Sequence, residues 1–149
     1  MTRKTFYRAA TTAIFLAGGL IFATPALAHN SKVVAADQYR VSVGFIQEPI
    51  HTNEKNGLDL AIRLTGEKDP IPGLESGLRA EIIAPDGKSR RELPIRPRYG
   101  HPGRYTFDVV LTQPGQYSIR VWGQIRGAAF DETFQISEVK ALDELRFPK

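Results

Sequence analysis

No cysteine occurs among the 149 residues. Disulfides, thiolate metal sites, thiol catalysis and lipid attachment through an N-terminal cysteine are therefore excluded, and stability has to come from a hydrophobic core. Also missing are a sustained apolar period of about 3.6 residues, an internal repeat of roughly 20 to 50 residues and a βαβ alternation, which removes long helices, solenoids and Rossmann-like nucleotide folds. No Gly-x-Ser-x-Gly elbow, His-Glu-x-x-His or Gly-x-x-x-x-Gly-Lys loop is present, and no general-acid pair has a defined context. The chain is not expected to be an enzyme, and no small-molecule substrate is identified.

A charge excess is missing too once the N-terminus is set apart. Arg3, Lys4 and Arg8 account for three of the 20 Lys and Arg, whereas none of the 16 Asp and Glu lies before residue 29, so 17 cations face 16 acids and the remainder carries a net charge of +1. A nearly neutral domain gives no reason to expect nucleic acid, which is bound by clustered Lys and Arg neutralising phosphates. The first 28 residues read as a signal peptide. After the basic start, Ala9 to Ala23 carry no charge and centre on Ile14-Phe15-Leu16 and Leu20-Ile21-Phe22, and Ala26-Leu27-Ala28 puts small residues at the specificity positions. Cleavage is expected after Ala28, giving a periplasmic or extracellular protein. If the segment is not cut, the uncharged stretch from Ala9 to Ala28 is long enough to remain as a membrane anchor.

What is present is a period of two. Tyr39, Val41, Val43 and Phe45 share one face of a first strand, with Arg40, Ser42 and Gly44 on the other. Leu58, Leu60, Ile62 and Leu64 alternate with Asp59, Ala61, Arg63 and Thr65 in a second. Residues 66–77, with Gly66, Pro70, Pro72, Gly73 and Gly77, form a long loop. Strands at about Leu78–Ala84 and Lys88–Leu93 flank Pro85-Asp86-Gly87 and read as a hairpin, with Gly supplying the positive φ. A strand with Tyr105, Phe107, Val109 and Leu111 on one side follows Gly103-Arg104. The turn Gln113-Pro114-Gly115-Gln116 leads to Tyr117, Ile119 and Val121; Gly123 then interrupts, and a last strand runs from about Ile125 to Ile136. About seven short strands separated by turns predict an all-β, two-sheet immunoglobulin-like antiparallel sandwich, with an open barrel as the alternative. The expected organisation is signal peptide 1–28, extended N-terminal arm 29–38, sandwich 39–137 and C-terminal tail 138–149, where Glu138 to Leu145 have room for one or two helical turns.

The stretch from Tyr39 to Ile136 resembles the extracytoplasmic Ig-like domains of bacteria called YtkA-like, grouped with FixH-like and CopC-like domains. The residues that carry the resemblance are Val43-Gly44-Phe45 with Glu48-Pro49, Pro102-Gly103-Arg104-Tyr105, Pro114-Gly115-Gln116-Tyr117, and Gly123-Gln124-Ile125-Arg126-Gly127 with Phe130-Asp131-Glu132. In each Pro-Gly-x-Tyr unit a turn starts a strand and a Tyr packs just inside it. The resemblance implies an exported sandwich and, from its CopC-like side, copper binding that sometimes uses a histidine at the mature N-terminus. Of the CopC-like ligand set, an Asp two residues before a His has no clear equivalent here.

Three histidines exist, His29, His51 and His101. Cleavage after Ala28 would make His29 the first residue, offering a metal its α-amine and Nδ1 in a six-membered chelate ring. The amine's ordinary pKa of about 7.7 to 8.0 makes deprotonation near neutrality inexpensive. A second imidazole would complete a nitrogen set suited to Cu(II). Strand parity favours His101 over His51 as that partner, because the connection after strand four returns to the end from which the arm starts. As bland alternatives, His29 begins a disordered arm, His51 is a solvated turn residue and His101 dresses a loop. A second feature is the basic run Lys88, Arg90, Arg91, Arg96, Arg98 and Arg104, opposed locally only by Glu92. It is either a solvated hairpin face or a surface for an anionic partner such as a lipid surface or an acidic protein face. Trp122, among Ser118, Arg120 and Gln124, is a candidate contact residue. The expected functions are thus an accessory protein binding Cu(II) through His29 and His101, or a metal-free module contacting a membrane or envelope protein through Arg96, Arg98 and Trp122.

Overall fold

The computed structural model describes residues 29–148, so the expected leader lies outside the described residues. Within them the chain is all-β, with no α-helix. Its ten strands are β1 (Asn30–Val34), β2 (Tyr39–Phe45), β3 (Lys55–Leu64), β4 (Leu78–Ile83), β5 (Arg90–Leu93), β6 (Arg96–Pro97), β7 (Arg104–Thr106), β8 (Asp108–Val110), β9 (Ser118–Ile125) and β10 (Ala128–Gln135). One sheet has the order β1-β2-β3-β7-β6, with β8 also on β3, and the other β10-β9-β4-β5; all pairs are antiparallel. Without β1 and β8, the order β2-β3-β7-β6 opposite β10-β9-β4-β5 is that of an immunoglobulin-type sandwich.

Alternation places the core between the sheets. Val41, Val43, Phe45, Leu58, Leu60, Ile62, Tyr105 and Phe107 from the first sheet meet Leu78, Ala80, Ile119, Val121, Ile125 and Phe134 from the second, all buried. Fully burying an aliphatic or aromatic side chain stabilises by about 1.5–3 kcal/mol, which is how a cysteine-free sandwich offsets its chain entropy. The two Pro-Gly-x-Tyr tyrosines do more than fill space. Tyr117 donates to the Gln113 carbonyl four residues upstream at 3.0 Å, a tyrosine-corner arrangement at the start of β9. Tyr105 donates to the Ile71 carbonyl at 2.6 Å and accepts from the Leu74 N–H at 3.0 Å, pinning the long loop over the core. At the β4–β5 turn the Asp86 carboxylate accepts the N–H groups of Lys88 and Ser89, both at 2.8 Å, and Gly87 has φ +68 as expected.

Three elements differ from the sequence reading. Residues 30–34, expected as an extended arm, form β1, paired along β2 from Asn30↔Val43 to Val34↔Tyr39. Only Val34 of this strand is buried, so no period marks it, and its turn has no glycine: Ala35, Ala36 and Asp37 are all left-handed, at φ 53, 50 and 63. Second, Gly123 does not interrupt a strand. β9 runs through it, and a Cβ there would lie 2.0 Å from the Gly77 carbonyl oxygen, so glycine is what lets β4 and β9 approach. The chain reverses instead at Arg126-Gly127, both at positive φ, between Ile125 and its partner Ala128. The expected last strand is thus the end of β9, a two-residue turn and β10. Third, the strand from Tyr105 to Leu111 is split at Phe107 into β7 and β8, though its register on β3 is continuous. Beyond β10, Val139 is buried and exchanges backbone hydrogen bonds with Gly115, and Leu142–Leu145 form a 3-10 turn.

Candidate functional site

The inner face of β3 takes Leu58, Leu60 and Ile62, so its outer face takes Asp59, Ala61 and Arg63. Asp59 is only 6% exposed although it faces away from the core. Side chains from three other strands or turns close over it. Arg104 at the start of β7 places Nη1 2.7 Å and 2.6 Å from the two carboxylate oxygens, Arg98 contributes Nη1 at 3.4 Å, and His29 contributes Nε2 at 3.1 Å. Gly44 is the cross-strand neighbour of Asp59, and the β1 register continued one residue beyond Asn30↔Val43 sets His29 opposite Gly44. A residue without a side chain therefore stands between the imidazole and the carboxylate. Burial alone would push the Asp59 carboxyl up; hydrogen bonding and charge from Arg104, then from His29, outweigh it and hold the carboxyl below its ordinary range.

Beside this cluster lies a polar recess of about 240 Å³ lined by His29, Ser42, Asp59, Ala61, Arg63 and Arg104. The small Ala61 side chain forms part of its floor, and the Ser31 and Ser42 hydroxyls meet at 2.8 Å along its rim. Arg63 donates from Nε to the Lys68 carbonyl at 2.8 Å, and directly opposite it on β2 stands Arg40; neither makes an ion pair among the described residues. Like charges in direct cross-strand register oppose pairing. With Arg96 and Arg98 on β6 and the turn after it, the outer face of the first sheet gathers Arg40, Arg63, Arg96, Arg98 and Arg104. The carboxylates set among them are buried Asp59 and, at the edge, Asp108, 2.8 Å from Arg96 Nη2.

The basic run opposed locally only by Glu92 is answered from elsewhere in the chain: Arg90 pairs with Glu81, Arg96 with Asp108, and Arg98 and Arg104 with Asp59. Lys88 and Arg91 make no ion pair among the described residues. Trp122 is half-buried on the outer face of the second sheet, with the Arg120 guanidinium 4.7 Å from its ring centroid. Arg120 is in turn held by Asp131 at 2.8 Å and 2.5 Å, a pairing that pushes its pKa up.

The histidines fall in three separate settings. His29 stands level with Asp59 because residues 30–34 form β1 and not an extended arm. That extra strand carries it to the Phe45 end of β2 and removes the premise of the parity argument. His101 is exposed at the tip of the turn from Arg98 to Arg104, beyond the Arg104↔Ala61 pair and toward the Leu64 end of β3. His51, expected as a solvated turn residue, is buried beside a bridge to Lys140 in the tail, with Nδ1 3.7 Å from Glu54 Oε2. Among the described residues no three His, Asp or Glu side chains are grouped as a metal set. Asp59, Arg40 and Arg63 were absent from the candidate residues. The one signal for Asp59 was its residue type, since Asp is depleted inside strands and in such a place needs partners.

No protein-family model matches the chain, and no curated protein matches it. Among solved structures, the chain is similar to a DUF4426 family protein of Pseudomonas aeruginosa, with a TM-score of 0.53 and 10% identity over 76% of this chain and 95% of that one. A DUF4785 family protein of Legionella pneumophila aligns with a TM-score of 0.45 and 7% identity, over 70% of this chain and 29% of that one. The first similarity concerns the fold alone. The chain is an Ig-like antiparallel β-sandwich whose first sheet carries a buried aspartate under an arginine-rich outer face.

Proposed function

We propose that the chain is an exported, metal-free interaction module that turns the outer face of its first sheet toward an anionic membrane or envelope component. The observation that carries this reading is the placement of Arg40 opposite Arg63 beside Arg98 and Arg104. A like-charge cross-strand pair costs stability, and guanidinium groups so placed suit carboxylate or phosphate oxygens. The resemblance to YtkA-like, FixH-like and CopC-like domains is in keeping with such a role at the level of fold and compartment. A photocrosslinking residue installed in living cells at position 40 is expected to yield adducts with an envelope component, and Arg63→Glu to diminish them. Adducts formed from position 122 instead, with none from 40, would move the interface to the other sheet and refute the proposal.

The copper reading keeps one observation in its favour. With Nε2 on Asp59, His29 Nδ1 is left to close a chelate with the α-amine that cleavage after Ala28 would free, and the carboxylate behind the ring is the second partner that metal-bound histidines commonly have. The residues present do not complete the set, because no third donor is grouped with His29 among the described residues and Arg98 and Arg104 put positive charge at the same carboxylate. Titration of the mature protein with Cu(II), followed by electron paramagnetic resonance, is expected to show no multi-nitrogen site. Nitrogen ligation abolished by His29→Ala would restore copper as the function.

A further inference from the structure

A second region adjoins the face described above at Asp108. Between the open edges of the two sheets, where β5 lies opposite β8, two adjoining cavities of about 320 and 340 Å³ share Arg91, Val109 and Val110 as walls. Each is within the size range of ligand pockets, about 300–1,000 Å³. Their apolar lining comes from Ile82, Leu93, Val109, Val110, Leu111 and Tyr117, and Val110 leaves 51% of its surface exposed there.

Of the charged residues lining the trough, Lys55 and Asp108 pair with each other at 3.5 Å and Arg90 pairs with Glu81, which leaves Arg91. Arg91 lies opposite Ile82 and two residues from Leu93, both buried, so it projects from the core-facing side of β5. No carboxylate among the described residues pairs with it, whereas its neighbour Arg90 is engaged by Glu81. An inward-facing cation also discourages another strand from pairing with an edge. That role does not require the apolar trough beside it, and it weighs against an incoming peptide strand as occupant. We infer that the β5–β8 flank binds an anionic amphiphile, its acyl chain lying along Val109, Val110, Leu111 and Tyr117 and its carboxylate or phosphate head meeting Arg91. Both the exposed hydrocarbon and the unpaired guanidinium are answered by one ligand of that class.

Calorimetric titration of the mature protein with dodecanoate and with dodecyl phosphate, both below their micelle concentrations, tests the assignment and distinguishes the two head groups. Saturable binding of at least one is expected, weakened roughly tenfold in Arg91→Gln, the loss of one charge-assisted contact. It should also be strongly weakened in Val110→Glu, where an exposed position keeps the fold intact and sets a negative charge on the chain path. Dodecyltrimethylammonium should bind far more weakly than either anion. Absence of saturable binding by both anions, equal affinity for the cationic amphiphile, or binding indifferent to Val110→Glu would each overturn the site.

Discussion

The two outer faces of the sandwich handle charge in opposite ways. On the outer face of the second sheet Glu81 and Glu92 are also register partners, but arginines answer both: Arg79 reaches Glu92, Glu81 sits between Arg90 and Arg120, and Arg120 reaches on to Asp131. On the first sheet one buried carboxylate is shared by Arg98, Arg104 and His29, while Arg40 and Arg63 confront each other. Exposed pairs such as Arg79 with Glu92 and Arg120 with Asp131 contribute about 0–1 kcal/mol each, and the arginines and carboxylates of that face balance. The first face concentrates both a buried, multiply paired carboxylate, in Asp59, and the unbalanced charge of Arg40 and Arg63.

The sharpest way to break the comparison is to show that the second sheet depends on its charges and not on its backbone contact. Gly123→Ala puts a Cβ against the Gly77 carbonyl at an unfavourable φ of +135 and is expected to cost roughly 3–5 kcal/mol, read from urea unfolding. Next, Asp59→Asn leaves Arg98 and Arg104 around a neutral side chain and should cost about 3 kcal/mol. The same variant has a pH signature. Because the Asp59 carboxyl is held below its ordinary range, its contribution is present above about pH 4, the unfolded carboxyl's range, and fades as pH falls through the lower folded value. Wild-type stability should therefore drop more steeply than that of Asp59→Asn in acid unfolding curves below about pH 4; parallel curves would remove Asp59 from the account. On the second face, Glu81→Gln is expected to cost about 1 kcal/mol or less, and a larger loss would erase the contrast. Smallest and of opposite sign, Ala36→Gly relieves one left-handed alanine in the turn that brings His29 to Asp59. It should raise stability by roughly 0.5–1 kcal/mol in thermal unfolding.

Legibility from sequence followed the range of the interaction. The alternation of β2, the Pro85-Asp86-Gly87 hairpin and the two Pro-Gly-x-Tyr turns could be read because each is coded by residues within a few positions of one another. β1 escaped because four of its five residues are not buried and its turn is built from Ala35, Ala36 and Asp37 without the usual glycine. Gly123 reads as a break in the sequence because the neighbour that requires it, the Gly77 carbonyl, lies 46 positions away in the chain.

The order of residues along the chain was enough to dictate an all-β sandwich, since period-two hydrophobicity and turn chemistry are local and the absence of cysteine left burial as the means of holding the fold together. It could not dictate that His29, Asp59 and Arg104 meet, with separations of 30 and 45 residues. That meeting depends on strand register, because a shift of one residue in β1 or β7 would turn the imidazole or the guanidinium to the opposite face and leave the carboxylate without them.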